Sequence, residues 1–482
     1  MRTELFIGGV WRKGGGEEFT SADPATGAVV WSGRAANADD VAEAMAAARL
    51  VFPTWSRAPL SERIAVVRAF GKELERRAEQ IALTISGEMG KALWDAKGEV
   101  QAMIGKIEIS IKAQVERAGE REEKAVFGAM TLAHHAHGVL AVFGPFNFPG
   151  HLPNGHIVPA LLAGNCVLFK PSELTPGVAA IMVEAWADAG LPAGVLNLLQ
   201  GGRETGAAIL DAHNLNGVLF TGSAQTGVFI HRKFAGRPDV VLALELGGNN
   251  PLIAWPPVDA KAAANLIAHS AFATSGQRCS CARRLIVPQN AEGDAIIAGL
   301  ADLTRRISVG PASQTPEPFM GPLVNAQAAE RALKFEHALI AMGGASIVAV
   351  ERDGAFVRPG IVDVTGLSPP DEELFGPVLQ VYRASDFDHA IDLANATRFG
   401  LAGGLISDDP ALWARVKQEL RAGVLNWNRP TTGASSAMPF GGPGLSGSLR
   451  PSAYYAADYV AYPVATQLSE KAAPLPAPGL PQ

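Results

Sequence analysis

Cysteine is scarce: there are three in 482 residues, at positions 166, 279 and 281. Three cysteines build no disulfide framework and agree with a reducing compartment. The local pattern Cys279-Ser280-Cys281 lacks the second cysteine or histidine pair that a zinc site needs, so no metal is expected. Excess positive charge is missing too. Against 47 acidic residues stand 41 Lys and Arg, leaving a net charge of −6. Such a chain has no global attraction for nucleic acid or for an anionic membrane, and an anionic ligand would need a local cationic pocket. Long apolar runs are absent. The best candidate for a membrane span, Ile157 to Phe169, is 13 residues long and is interrupted by Pro159, Gly164 and Asn165, well short of a bilayer. The first nine residues, Met1 to Gly9, lack the apolar stretch of a signal peptide, which predicts a cytoplasmic protein.

What is present is ample material for a core. Hydrophobic residues make up 48% and charged residues 18%, as in globular proteins, and the length predicts about two or three domains. Residues 1–35 read as short strands and turns, with turn chemistry at Asp23-Pro24-Ala25-Thr26-Gly27. From Asn37 to about Lys112 the pattern is helical, and residues 113–136 read as a polar stretch followed by a hairpin. From Val139 the period changes. Short apolar runs (139–143, 165–169, 194–199, 217–220 and 240–244) alternate with helical stretches, which implies a parallel, doubly wound α/β sheet. A second series of the same kind runs from about Pro251 to Phe440. The proline-rich end, 471–482, is expected to be disordered.

Several stretches can carry chemistry. Cys279, in Ser275-Gly276-Gln277-Arg278-Cys279, and Glu245, in Leu244-Glu245-Leu246-Gly247-Gly248, pair a possible nucleophile with a possible general base. Asn147, in the rigid aromatic loop Gly144 to Gly150, reads either as an oxyanion donor or as a turn-stabilising amide. Gly222-Ser223-Ala224-Gln225-Thr226-Gly227 follows a strand-like run and opens a helical one. It would offer backbone N–H groups to a phosphate, or serve simply as a tight turn. Lys170-Pro171-Ser172-Glu173 ends another run. There it would clasp a ribose diol and repel a 2′-phosphate, or form an exposed ion pair. Glu373 and Phe375 would hold a sugar and a ring, or shape a β-turn. His134, His135 and His137 read as a surface hairpin, and Cys166 and Cys281 as packed thiols.

Taken together these stretches resemble the NAD(P)-dependent aldehyde dehydrogenase superfamily over roughly residues 5–465. The markers occur in the family's order: Phe146-Asn147-Phe148-Pro149, Lys170 to Glu173, Phe220-Thr221-Gly222-Ser223, Glu245 to Gly248, Gly276 to Cys279, Glu373 to Pro377, and Pro439 to Gly442 with Ser446-Gly447. Longer stretches are similar to the branch that oxidises N-succinylglutamate 5-semialdehyde in the arginine-succinyltransferase pathway. These are Phe148 to Ala160, Gln200 to Gly206, Cys279 to Arg284, Asn426 to Pro430 and Arg450 to Tyr454. Asn249 departs from the lysine that many members place after the Glu-Leu-Gly-Gly motif.

The resemblance implies two Rossmann-like domains and a small β flap: residues 1–117 and 137–247 bind NAD, 248–443 are catalytic, and 118–136 with 450–470 mediate a homodimer or homotetramer. It implies Cys279 as nucleophile, Asn147 as oxyanion donor and Glu245 as activator of the hydrolytic water. NAD would be held by Lys170, Ser172, Glu173, Gly222, Ser223, Ala224, Gln225, Thr226, Gly227, Glu373 and Phe375. For an anionic aldehyde, His151, Arg278, Arg283, Arg284, Arg429 and Arg450 are the candidate substrate residues, since arginine matches carboxylates. Another acidic semialdehyde, of succinate or glutamate, and a catalytically dead nucleotide-binding scaffold are the competing readings.

Overall fold

The computed structural model describes residues 2–480. Turn residues break its start into β1 (Leu5–Ile7), β2 (Val10–Arg12), β3 (Glu18–Ala22) and β4 (Val29–Arg34). Four helices follow: α1 (Ala38–Arg57), α2 (Leu60–Arg76), α3 (Ala78–Met89) and α4 (Leu93–Ala118). Asn37 and Asp40 close a reciprocal capping box on α1. Gly90 ends α3 in the left-handed region, at φ 77°. The last helix runs past Lys112 because Ala113, Gln114 and Ala118 are buried; the polar residues there form one helix face rather than a loop.

After the hairpin β5 (Arg121–Ala125) and β6 (Gly128–Ala136), strands and helices alternate. The series is β7 (Val139–Phe143), α5 (His151–Leu162), β8 (Cys166–Lys170), α6 (Pro176–Asp188), β9 (Leu196–Leu198), α7 (Arg203–Asp211), β10 (Gly217–Thr221), α8 (Ala224–Lys233) and β11 (Val241–Glu245). The strands lie in the order β11-β10-β7-β8-β9, all parallel, and antiparallel β1 and β2 extend that edge. Every residue of β7, β8 and β9 is buried, as a sheet covered on both faces requires. The order reverses between β7 and β10, so a crevice opens beyond their carboxyl ends.

The second sheet is built from β12 (Asn250–Ala254), α9 (Ala260–Phe272), β13 (Ala282–Pro288), α10 (Ala291–Arg305), α11 (Ala326–Ala341), β14 (Ala345–Val348), the hairpin β15 (Glu351–Asp353) and β16 (Phe356–Arg358), β17 (Gly360–Asp363), β18 (Val378–Ala384), α12 (Phe387–Asn395), β19 (Ala402–Ile406), α13 (Pro410–Glu419) and β20 (Val424–Trp427). Its order is β14-β17-β18-β13-β12-β19-β20, parallel apart from edge strand β14. Glu245 ends β11 and Asn250 begins β12. Residues 246–249 therefore bring the carboxyl edge of the first sheet to the amino edge of the second. The two open α/β sheets are those the alternating sequence implies.

The final segments are β21 (Pro439–Phe440), β22 (Ser452–Ala453), α14 (Ala456–Tyr459) and β23 (Ala461–Leu468). β23 pairs with β6, from Ala461 opposite Ala136 to Leu468 opposite Ala129, and completes a three-stranded sheet with β5. The stretch 450–470 is thus not one flap. Residues 452–460 return to the main body, where β22 pairs with β21, and Ala456, Ala457 and Tyr459 are buried. The tail has neither helix nor strand through residue 480; positions 481 and 482 of the expected disordered segment lie outside the described residues. Among the described residues no helix is long and apolar enough to cross a membrane.

Candidate active site

Cys279 and Glu245 line one cavity of about 390 Å³, with Phe148, His151, Leu152, Arg278, Ser435 and Phe440 among its other walls. Glu245 is buried at the end of β11. Its Oε1 accepts the Ser452 backbone N–H at 3.0 Å, while its Oε2 has no partner. Burial carries this carboxyl well above the usual carboxylate range, and the Ser452 N–H only partly offsets that. Burial also pushes the Cys279 thiol up to about 12. The facing carboxyls of Glu373 and Glu245 add to the rise, and Arg283 opposes it. A basic neighbour lowers a thiol, but here desolvation and two acids outweigh Arg283.

The nucleophile loop is held from both sheets. Asn250, at the start of β12, donates Nδ2 to the carbonyls of Cys279 (2.7 Å) and Cys281 (2.8 Å) and accepts from Ala402 N–H at 3.0 Å. Its amide is thereby fully used. Asn147, on the loop after β7, donates to the Gln277 carbonyl at 2.9 Å. Thr274, Ser275 and Gly276 all have positive φ (54°, 57° and 70°), a run that non-glycine residues rarely adopt. Side-chain bonds fix it. The Thr274 hydroxyl donates to Asp95 and accepts from Arg278 Nε at 2.7 Å, and the Ser275 hydroxyl donates to the Gly321 carbonyl at 2.7 Å. No motif in the sequence assigns a role to Asn250 or Ser452. Each acts through a partner 29 to 207 positions away, so local spacing carries no signal for it.

The cofactor candidates fall into two groups. Ser223 caps α8, its Oγ accepting from Thr226 N–H at 3.2 Å. This leaves the Ala224 and Gln225 N–H groups of the first turn without helical acceptors. The Glu373 carboxylate lies against the 247–248 backbone, and its Oε1 is buried without a hydrogen-bond partner. Burial raises it to about 7 against the pull of Arg283. Lys170 Nζ donates to the Pro171 carbonyl at 2.8 Å and lies 3.7 Å from the exposed Glu173 carboxylate. Phe375 meets Phe146 edge-on, with centroids 5.8 Å apart. Other candidates are committed elsewhere. The Gly222 N–H donates to the Glu245 carbonyl at 3.0 Å, so it cannot also face a phosphate. Gly227 packs on Leu246, whose side chain a Cβ would meet at 2.4 Å. Ser172 Oγ accepts the Leu174 N–H at 3.2 Å and closes a local turn.

Two of the five arginines expected at the substrate are structural. Arg284 is buried and gives three bonds, at 2.8–2.9 Å, to the carbonyls of Asn249, Leu393 and Ala394. Arg283 ties the carbonyls of Gly276, Gly376 and Arg278 together. Both stiffen the site's backbone, and Arg283 also lies 3.8 Å from the Glu373 carboxylate. Arg429 and Arg450 are exposed and do not line the cavity. Arg278 and His151 do line it, but Arg278 is paired with Asp95 at 2.8 Å. Among the described residues no group of three or more His, Cys, Asp or Glu is placed to hold a metal ion.

A thiol and a buried carboxyl in one cavity agree with what comparison with known proteins finds. The aldehyde dehydrogenase family model matches residues 11–462. The chain belongs to this family. It is 56% identical over 471 residues to N-succinylglutamate 5-semialdehyde dehydrogenase 2 of Caulobacter vibrioides, covering 97% of this chain and 96% of that one. With the N-succinylglutamate 5-semialdehyde dehydrogenase of Chromobacterium violaceum it shares 54% over 467 residues, 96% of each chain. A solved 1-pyrroline-5-carboxylate dehydrogenase from Thermus with bound NAD superposes with a TM-score of 0.90 at 30% identity, covering 96% of this chain and 92% of that one. The chain is therefore an aldehyde dehydrogenase.

Proposed function

We propose that this aldehyde dehydrogenase oxidises N-succinyl-L-glutamate 5-semialdehyde to N-succinyl-L-glutamate with NAD, in arginine breakdown by the succinyltransferase route. The observation that carries the reading is the shared cavity of Cys279 and Glu245; the substrate rests on the two relatives above. Cys279 attacks the aldehyde carbon as thiolate, giving a thiohemiacetal on the enzyme. The Asn147 amide has a second N–H beyond the one bound to Gln277. That N–H, with the Cys279 backbone N–H, holds the oxyanion; one such donor is worth about 3–4 kcal/mol in comparable sites. NAD supplies the acceptor for the hydride that leaves the tetrahedral carbon. The thioester left on Cys279 is hydrolysed by water that Glu245 deprotonates. This requires the Glu245 carboxylate, so the raised carboxyl sets a lower pH limit on the second half of the reaction.

The chain fits the cofactor. The unpaired N–H groups of Ala224 and Gln225 suit a pyrophosphate, the Glu373 Oε1, without a hydrogen-bond partner, suits a ribose hydroxyl, and the exposed Glu173 carboxylate disfavours a 2′-phosphate and so favours NAD over NADP. Solution as a cytoplasmic homodimer or homotetramer is part of the same reading. Its support is the three-stranded sheet β23-β6-β5, whose open edges offer unpaired backbone and around which Val126, Phe127, Met130 and Leu468 are exposed.

The test is a substrate profile followed by NADH absorbance with both cofactors. The expected result is the highest kcat/KM with N-succinylglutamate semialdehyde and NAD. Preference for succinate or glutamate semialdehyde would move the substrate assignment within the acidic class, and good turnover of small aliphatic aldehydes alone would remove it.

A further inference from the structure

We propose that Lys106 is the cation that binds a carboxylate of the substrate. The inference rests on the acidic-aldehyde reading above and names the residue that makes it work. Helix α4 runs along the cavity and presents Asp95, Glu99, Ala102 and Lys106 to it. The cations near the site are otherwise used. Arg278 is paired with Asp95 at 2.8 Å and Lys91 with Glu99 at 2.6 Å, while Arg283 and Arg284 are bound to backbone carbonyls. Lys106 is different. Its side chain is 1% exposed, and its Nζ has no hydrogen-bond partner and no ion pair.

Burying an ammonium without a partner is costly, and a fold keeps such a group where something else completes it. Burial draws this one down to about 8, so it remains mostly cationic at neutral pH. No side chain of the cavity serves as its counter-ion. Glu99 is engaged with Lys91 and with the Gly150 and His151 N–H groups. His151 and His156, on α5, are both held neutral by burial, with the Lys106 charge adding to the effect. Glu245 lines the same cavity, but its Oε2 and the Lys106 Nζ are both without a hydrogen-bond partner. Helix α5, which packs on α4, contributes Gly155 to the same cavity wall, and an added Cβ there would meet nothing within 4 Å. There is space, and what it lacks is an anion. A carboxylate on an aldehyde whose carbonyl reaches Cys279 supplies the missing charge, and the mildly acidic chain needs such a local cation to hold an anion at all.

Lys106→Met keeps the length and apolar stem and removes the charge; Lys106→Arg restores it. The experiment compares both with the parent enzyme, using NAD, N-succinylglutamate semialdehyde and a neutral aliphatic aldehyde of similar length, with thermal melts alongside. Expected for Lys106→Met is a KM about 10- to 100-fold higher for the anionic aldehyde, the loss of one charge-assisted hydrogen bond. Its kcat stays within about twofold and kcat/KM for the neutral aldehyde does not fall. Lys106→Arg should recover part of the lost affinity. If the parent enzyme prefers the anion and Lys106→Met keeps that preference, the assignment of Lys106 is wrong and the substrate reading stands. If the parent shows no preference for the anion, the substrate reading itself fails and takes Lys106 with it. Equal loss on both aldehydes, or a burst without turnover on both, would make Lys106 a structural or proton-handling group. Should Lys106→Met not fold, Lys106→Gln is read by the same split.

Discussion

Asn147 spends one amide hydrogen on the Gln277 carbonyl, so its proposed catalytic donation and its hold on the nucleophile loop come from a single side chain. Asn147→Ala should therefore lower the first-turnover rate about 10²- to 10³-fold, measured as the NADH burst by stopped flow. Glu245→Gln separates the two half-reactions. Hydride transfer should survive as one stoichiometric burst while steady-state turnover stalls; equal loss of both phases would give Glu245 another role. The burst has a predictable pH profile. Its reactive form is the thiolate, and the resting thiol is pushed up to about 12. The thiolate fraction, and with it the burst rate, should climb from about pH 6 to about pH 9 without a plateau. Residue types were legible at this scale where a motif names them, as with Cys279 and Glu245. The arginines were not. Whether Arg284 meets a substrate or three carbonyls depends on Asn249, Leu393 and Ala394, and no local pattern links those to it.

Among the elements, the bend before Cys279 is the most constrained. Gly276 has φ +70°, and a Cβ there would sit 2.3 Å from the Gly376 carbonyl oxygen. Gly276→Ala should cost about 2 kcal/mol or more and reduce activity beyond what the lost stability explains, read from thermal melts and kcat together. The strands of both sheets were legible because the apolar runs are short and bounded by turn residues. The end of α4 was not, since a solvated helix face and a polar loop have similar composition. Nor was the split of 450–470: Ser452 and Tyr459 bond to Glu245 and His156, which lie far upstream in the chain.

For the whole molecule, two buried histidines are one part of the response to acid. His151 is drawn down to about 4 and His156 to about 3, chiefly by burial, whereas both titrate near 6.5 when unfolded. Their folded values are depressed, so their contribution is fully present above about pH 6.5 and is lost as pH falls below it, where the unfolded chain binds more protons. Each such group contributes a slope of up to about 1.4 kcal/mol per pH unit, while the raised carboxyls of Glu245 and Glu373 act in the opposite sense; the histidine contribution is therefore read by difference, as a fall in the parent Tm relative to a His156→Gln variant between pH 7 and pH 5. The bond from Ser452 to Glu245 spans 207 positions, which has a consequence for how the enzyme comes into being. During synthesis Cys279 emerges long before the residue that holds Glu245. A nascent chain stopped ahead of residue 452 carries the thiol without an anchored Glu245, so a full catalytic cycle becomes available only when translation is nearly complete.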